Sequence, residues 1–193
     1  NGKLKVLFED GTDMQTDMVL SATGRAPAVK DLGLENVNVQ CRENGAIIVD
    51  EYFQTSEPNI FALGDVTDKV QLTPVAIAEA MAFASTQFKG EPKVMDYDGI
   101  ATAVFCQPNI GTLGLTEEEA AEIYDEIEVY RSHFRPMKHT LSGSDEKSMM
   151  KMIVDKKSDR VVGVHMVGPD SGEIIQGIGI ALKAGATKAV FDS

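Results

Sequence analysis

Residues 59–80, NIFALGDVTDKVQLTPVAIAEA, carry the residue types best suited to meeting a polar ligand. The apolar run Ile60, Phe61, Ala62, Leu63 reads as a short buried strand that stops at Gly64 and Asp65, where a residue without a side chain precedes a carboxylate. Such a pair lets the backbone approach a ligand closely and offers that ligand a hydrogen-bond acceptor. Beyond an irregular loop, Thr73 and Pro74 open a helix predicted to run from Val75 to about Phe88, with apolar residues at Val75, Ile77, Ala78, Met81 and Ala82. The Thr73 hydroxyl is expected to accept a bond from a free helix N–H, and Pro74 suits the first turn because its missing N–H is not needed there. A helix N-terminus carries about half a positive charge and several unpaired donors, so a group beside Leu72 and Thr73 should be electron-rich. On pattern alone, the same stretch also reads as a buried strand, a loop and a core helix with no ligand.

Other residues with chemical potential form no constellation. Cys41 and Cys106 lie far apart, in neither a metal motif nor a redox pair, and are expected to be structural thiols of a reducing, cytoplasmic compartment, as free Cys most often is a small buried hydrophobe. His133, His139 and His165 lack ligand spacing, so no metal site is expected. Gly177, Gly179 and Ala181 hint at a glycine-rich phosphate loop, but Leu182 stands where the third glycine belongs and no strand precedes them; a small-residue helix face is the better reading. Arg135, Lys138, His139 and Thr140 read as a solvated loop.

Several elements must position these residues. Leu4–Phe8 and Met18–Ala22 are predicted strands around the turn at Glu9–Thr12, the segment Thr23-Gly24-Arg25-Ala26-Pro27 breaks the second, and Ala46–Asp50 is a third. From Tyr97 the character changes. Strands are predicted at 101–105, 110–115, 128–134, 149–154 and 161–167, the last two forming a hairpin around Lys156–Asp159. Thr116 and Glu119 form a capping box for a helix to about Tyr124, and Asp170 with Ser171 is expected to cap a helix bearing Ile174, Ile175, Ile178 and Leu182 and ending at Gly185. Antiparallel strands with helices on the sheet define an α+β unit.

With 43% hydrophobic residues the chain can build a core, and no apolar run approaches the ~20 residues of a transmembrane helix. Its net charge of -12 argues against nucleic acid and against an anionic membrane surface, both of which need clustered cations.

The stretch TSEPNIFALGDVTDKVQLTPVAIAEA resembles the second FAD-binding motif of the flavoprotein disulfide reductases. The segments AVFCQPNIGTLGLTEEEA, MKMIVDKKSDRVVGVHMVG and EIIQGIGIALKAGATKAVFDS resemble, in order, the dimerisation domain of that family, and TGRAP resembles the segment closing its NAD(P)H domain. The resemblance implies that residues 1–97 are incomplete pieces of the NAD(P)H and FAD domains and that 98–193 form the dimerisation domain. It implies FAD and NADP as cofactors, a homodimer, and glutathione disulfide as substrate. Within it, Asp65 meets the ribityl chain of FAD with Gly64 beside it among the cofactor-binding residues, Leu72 and Thr73 meet the flavin edge, Gly24 the nicotinamide cofactor, and Ile77 the substrate. The charged LAHKA wording of the dihydrolipoamide branch differs from LTPVAIAEA here; that branch and the mercuric reductase branch remain alternatives, as does a purely non-catalytic dimerisation module for the chain by itself. Gln107 stands where many relatives have His, and Met81 where some have a substrate-touching Arg. The family's glycine-rich FAD turn, redox disulfide and catalytic His-Pro pair are not among these residues, so a C-terminal fragment with no catalytic residue of its own is expected.

Overall fold

A computed structural model describes residues 2–193, which fall into two compact units meeting in sequence at Met95 and Asp96. The first unit opens with strands β1 (Leu4–Leu7) and β2 (Asp13–Thr16), paired antiparallel from Leu4 opposite Thr16 to Leu7 opposite Asp13. Met18–Ala22 is not the second strand. Pairing ends at Leu4 and Thr16, so among the described residues those beyond Thr16 lack a partner within the hairpin, and Met18 and Leu20 are left more than four-fifths exposed.

Ala46–Asp50 and Ile60–Leu63 likewise differ from expectation. Each makes one isolated bridge, Ile47 to Cys41 and Phe61 to Gln54, rather than a strand. Their backbone groups are satisfied singly, for example by Ile47 N–H to Val66 C=O and Ala62 N–H to Phe53 C=O. The two apolar runs are buried without a ladder at Ala46, Ile47 and Ala62, which form the interior together with Phe53, Val75 and Ala82. The last two belong to α1 (Thr73–Ala84), which continues through a wider π-type turn, Ser85–Lys89, to Gly90 in the left-handed conformation that a glycine adopts without strain.

The second unit is a five-stranded antiparallel sheet in the order β3-β4-β7-β6-β5. Its strands are β3 (Thr102–Val104), β4 (Ile110–Gly114), β5 (Ile127–Phe134), β6 (Ser148–Asp155) and β7 (Val161–Val167). The β6–β7 hairpin turns where its Lys-Lys-Ser-Asp wording predicts, with a bulge at Ile153/Val154. Helix α4 (Ser171–Lys183) lays Ile175 on Leu113, Val154, Val161 and Val164, with Ile178 and Leu182 beside them. Gly111 permits that approach, because a Cβ there would lie 2.7 Å from the Ser171 carbonyl oxygen.

On the opposite sheet face, cross-strand register aligns Arg131, Lys151, His165 and Thr112 in one row. Helix α2 (Glu117–Ile123) covers it, started by the predicted capping box: Thr116 Oγ1 accepts the Glu119 N–H and Glu119 Oε2 accepts the Thr116 N–H. Asp170 precedes α4 but does not cap it. Its backbone is left-handed and its carboxylate instead takes the Lys138 ammonium at 2.9 Å. Two helical turns complete the unit, α5 (Lys188–Phe191) and α3 (His139–Ser142), the latter replacing the solvated loop expected at His139 and Thr140 and leaving the His139 side chain 13% exposed.

Candidate functional site

The candidate site lies wholly in the first unit, where the bridge at Phe61 leads into a 3₁₀ turn, Gly64–Thr67, and then to α1. Gly64 sits at φ +72, a conformation that favours glycine, and a Cβ on it would come 3.3 Å from the Ala76 methyl of α1, a tight contact. Its N–H donates to Glu79 Oε2 at 2.6 Å, and its carbonyl accepts the Thr67 hydroxyl at 2.9 Å. Glu79 and Thr67 are each 1% exposed. Asp65, the next residue, is by contrast exposed, with Arg25 3.6 Å from its carboxylate. The turn thus holds its frame inside and presents one carboxylate outward.

Asp68 ties down the other end of the turn. It is left-handed, and its carboxylate accepts from Asn44 Nδ2 at 2.7 Å and from Gln71 Nε2 at 2.6 Å, which fixes the loop running into α1. Leu72 is the residue preceding that helix, Thr73 begins it and Pro74 falls in its first turn. The expectation that Thr73 caps the helix does not hold: Thr73 lies inside the first turn, and Leu72, at the cap position, makes no side-chain bond to it among the described residues. Leu72 N–H donates to the Val70 carbonyl at 2.9 Å. With Thr73 and Pro74 exposed, the helix start presents the positive end of its dipole to solvent.

The other predicted residues fall as follows. Ile77 and Met81, one turn apart, are both about three-fifths exposed on the α1 face opposite Val75, Glu79 and Ala82. Gly24 has φ +109 and open space where a side chain would stand. Cys41 and Cys106 are free and exposed, not buried: Cys106 lies in the segment after β3, and Cys41 forms the isolated bridge to Ile47 with its thiol left exposed. No metal-binding group of His, Cys, Asp or Glu occurs among the described residues. His165 is engaged within the sheet, with Nδ1 2.7 Å from Thr112 Oγ1 and Nε2 3.0 Å from the Leu115 carbonyl. Glu117 binds Lys151 at 2.7 Å and also Arg131; the Lys151 bond is the main reason its carboxyl is held below the usual range.

Sequence reasoning missed Glu79 and Asp68. Glu79 stands four residues after Val75 and three before Ala82, a helical spacing that places a carboxyl in an otherwise apolar stripe. That spacing was the available signal. Asp68 left none, since its role depends on Asn44, far away in sequence.

The arrangement, an outward carboxylate beside the open N-terminus of a helix, fits a ligand with hydroxyls and an electron-rich edge. Models of the pyridine nucleotide-disulphide oxidoreductases match residues 1–80, and the dimerisation domain of the same enzymes matches 100–193. The chain belongs to the pyridine nucleotide-disulphide oxidoreductase family. Along its whole length it is 50% identical to a chloroplastic/mitochondrial glutathione reductase of Pisum sativum, covering 35% of that protein, and 50% identical to a glutathione reductase of Burkholderia cepacia, covering 43%. It is 46% identical to a trypanothione reductase of Trypanosoma congolense, with 99% of the chain and 39% of the relative aligned. Among solved structures it resembles the HOCl-induced flavoprotein disulfide reductase RclA of Escherichia coli, with a TM-score of 0.87 at 28% identity, covering 98% of the chain and 44% of that protein. The chain thus spans less than half the length of these relatives.

Proposed function

We propose that this chain is part of an NADPH-dependent glutathione-disulfide reductase and supplies that enzyme with one side of its flavin site and with a dimerisation surface. The observation that carries the reading is the pairing of exposed Asp65 with the uncapped start of α1 in a chain half identical, from end to end, to glutathione reductases of a plant and a bacterium. The residues fit FAD. Gly64 lets the backbone approach, Asp65 accepts from the ribityl hydroxyls, and the start of α1 at Leu72 and Thr73 favours negative charge on the pyrimidine edge. FAD, when bound, supplies the two-electron relay between NADPH and a disulfide. Gly24 lies at the nicotinamide cofactor and Ile77 at the substrate, where its exposed side chain offers an apolar contact.

Residues 98–193 are the dimerisation domain and 1–97 belong to the NAD(P)H and FAD domains. The reading places the enzyme in the reducing cytoplasm; among the described residues no helix is long and apolar enough to cross a membrane. Isolated, the chain pairs with a second copy and turns nothing over.

The full-length enzyme, assayed with NADPH against glutathione disulfide, trypanothione disulfide and lipoamide, tests the reading. A preference in kcat/KM for glutathione disulfide of about 100-fold or more is expected, the size of discrimination that a site matched to one substrate reaches. Preference for either of the others would reassign the substrate while leaving the family intact.

A further inference from the structure

The flavin-side contacts come from two pieces of chain, the Gly64–Asp65 turn and the start of α1, and one buried side chain joins them. Glu79 occupies the inward stripe of α1 with Val75 and Ala82 and is 1% exposed. A carboxyl in such a stripe is costly unless its oxygens find donors. Oε2 finds the Gly64 N–H at 2.6 Å. Ala76, on the same helix, faces Gly64 closely enough that a Cβ there would come 3.3 Å from its methyl. The turn is thus both packed and bonded to α1, and the Thr67 hydroxyl holds the carbonyl side of the same glycine.

We propose that Glu79 is a positioning residue for the cofactor: its carboxyl fixes the Gly64–Asp65 turn on α1 and so sets the spacing between the Asp65 carboxylate and the helix N-terminus. The inference rests on the reading of this region as the flavin site. A bonded acceptor, not a charge, is what the turn requires. Glu79→Gln keeps an oxygen acceptor in the same shape, Glu79→Leu keeps the volume without an acceptor, and Glu79→Asp withdraws the carboxyl by one methylene.

The test is made in the full-length enzyme, stripped of flavin and titrated with FAD, with affinity read from flavin fluorescence and geometry from the visible circular dichroism of the bound flavin. Glu79→Gln should bind FAD within about threefold of wild type with an unchanged dichroism band, a ratio worth under 1 kcal/mol. Glu79→Leu should bind about tenfold or more weakly and alter the band. If Glu79→Leu does not fold, Glu79→Asp carries the same expectation in its place. Wild-type affinity and dichroism in Glu79→Leu, or in Glu79→Asp where that replaces it, would overturn the proposal and reduce Glu79 to a core residue. Equal damage in Glu79→Gln and Glu79→Leu would overturn it too. Asp65→Ala separates the two levels: unchanged FAD affinity there would refute the flavin reading itself, whereas weakened binding there with intact binding in the Glu79 variants would refute only the positioning role.

Discussion

Individual side chains in this chain divide by whether a donor reaches them. Asp155 accepts from the Ser158 hydroxyl and from the backbone N–H groups of Lys157 and Ser158, and the hydroxyl bond is the largest cause holding its carboxyl below the ordinary range. Because the folded value is depressed, the stabilisation is complete above the unfolded value of about 4 and disappears as pH falls through the lower folded value. Asp155→Asn should therefore flatten the loss of stability with acid below about pH 4. Urea midpoints measured from neutral to acid pH check this, and an unchanged acid slope would contradict it. Arg25 and Asp65 are both largely exposed, so their contact at 3.6 Å contributes about 0–1 kcal/mol. Arg25→Ala should leave the thermal midpoint nearly unmoved, and a large drop would show that Arg25 holds more than its exposed ion pair. That Gly64 makes a turn and Asp65 faces outward was legible from their types and from the break they make in an apolar run. The exposure of Cys41 and Cys106 was not legible, because nothing in their neighbours says which loop folds over them.

At the level of elements, local chemistry succeeded where the signal was contained in a few consecutive residues. The Thr116 capping box is such a case, and Thr116→Ala should cost about 1 kcal/mol in chemical unfolding, since it leaves a first-turn N–H without its acceptor. The β6–β7 hairpin is another, with two alternating strands around a polar turn. Gly163 within it shows what sequence cannot supply. A Cβ at Gly163 would lie 2.1 Å from the Leu115 carbonyl oxygen, a backbone atom with no room to retreat. Gly163→Ala should destabilise the folded protein by about 1–3 kcal/mol, read as a lowered urea midpoint. An unchanged midpoint would mean that the chain around Leu115 relaxes freely. Strands failed in the first unit for a related reason. Ile60–Leu63 and Ala46–Asp50 are apolar enough to be buried, yet a strand also needs a neighbour along its length, and each finds only a single bridge. The cap failed at Thr73 because that residue lies inside the first turn, and at Asp170 because its backbone is left-handed and Lys138, distant in sequence, takes its carboxylate.

For the whole molecule, the order of segments carried more than any one of them. The turn at Gly64, the capping box and the helix α4 are each ordinary, but their succession along the chain is that of the family. What remained hidden was the side-chain bracing inside that frame, Glu79 on Gly64 and Asp68 on Asn44, because it joins residues the chain separates. The dimerisation domain predicts that the purified chain pairs in solution, and light scattering should report twice the 20.9 kDa chain mass. A strictly monomeric species at high concentration would contradict that. The most direct measurement on the proposed activity is an anaerobic one: the full-length enzyme is given NADPH and glutathione disulfide, and both are followed to completion. Equal molar consumption of the two, with the flavin returning to its oxidised spectrum when the disulfide is in excess, is the predicted result. NADPH oxidised only when oxygen is admitted, or not at all, would contradict it.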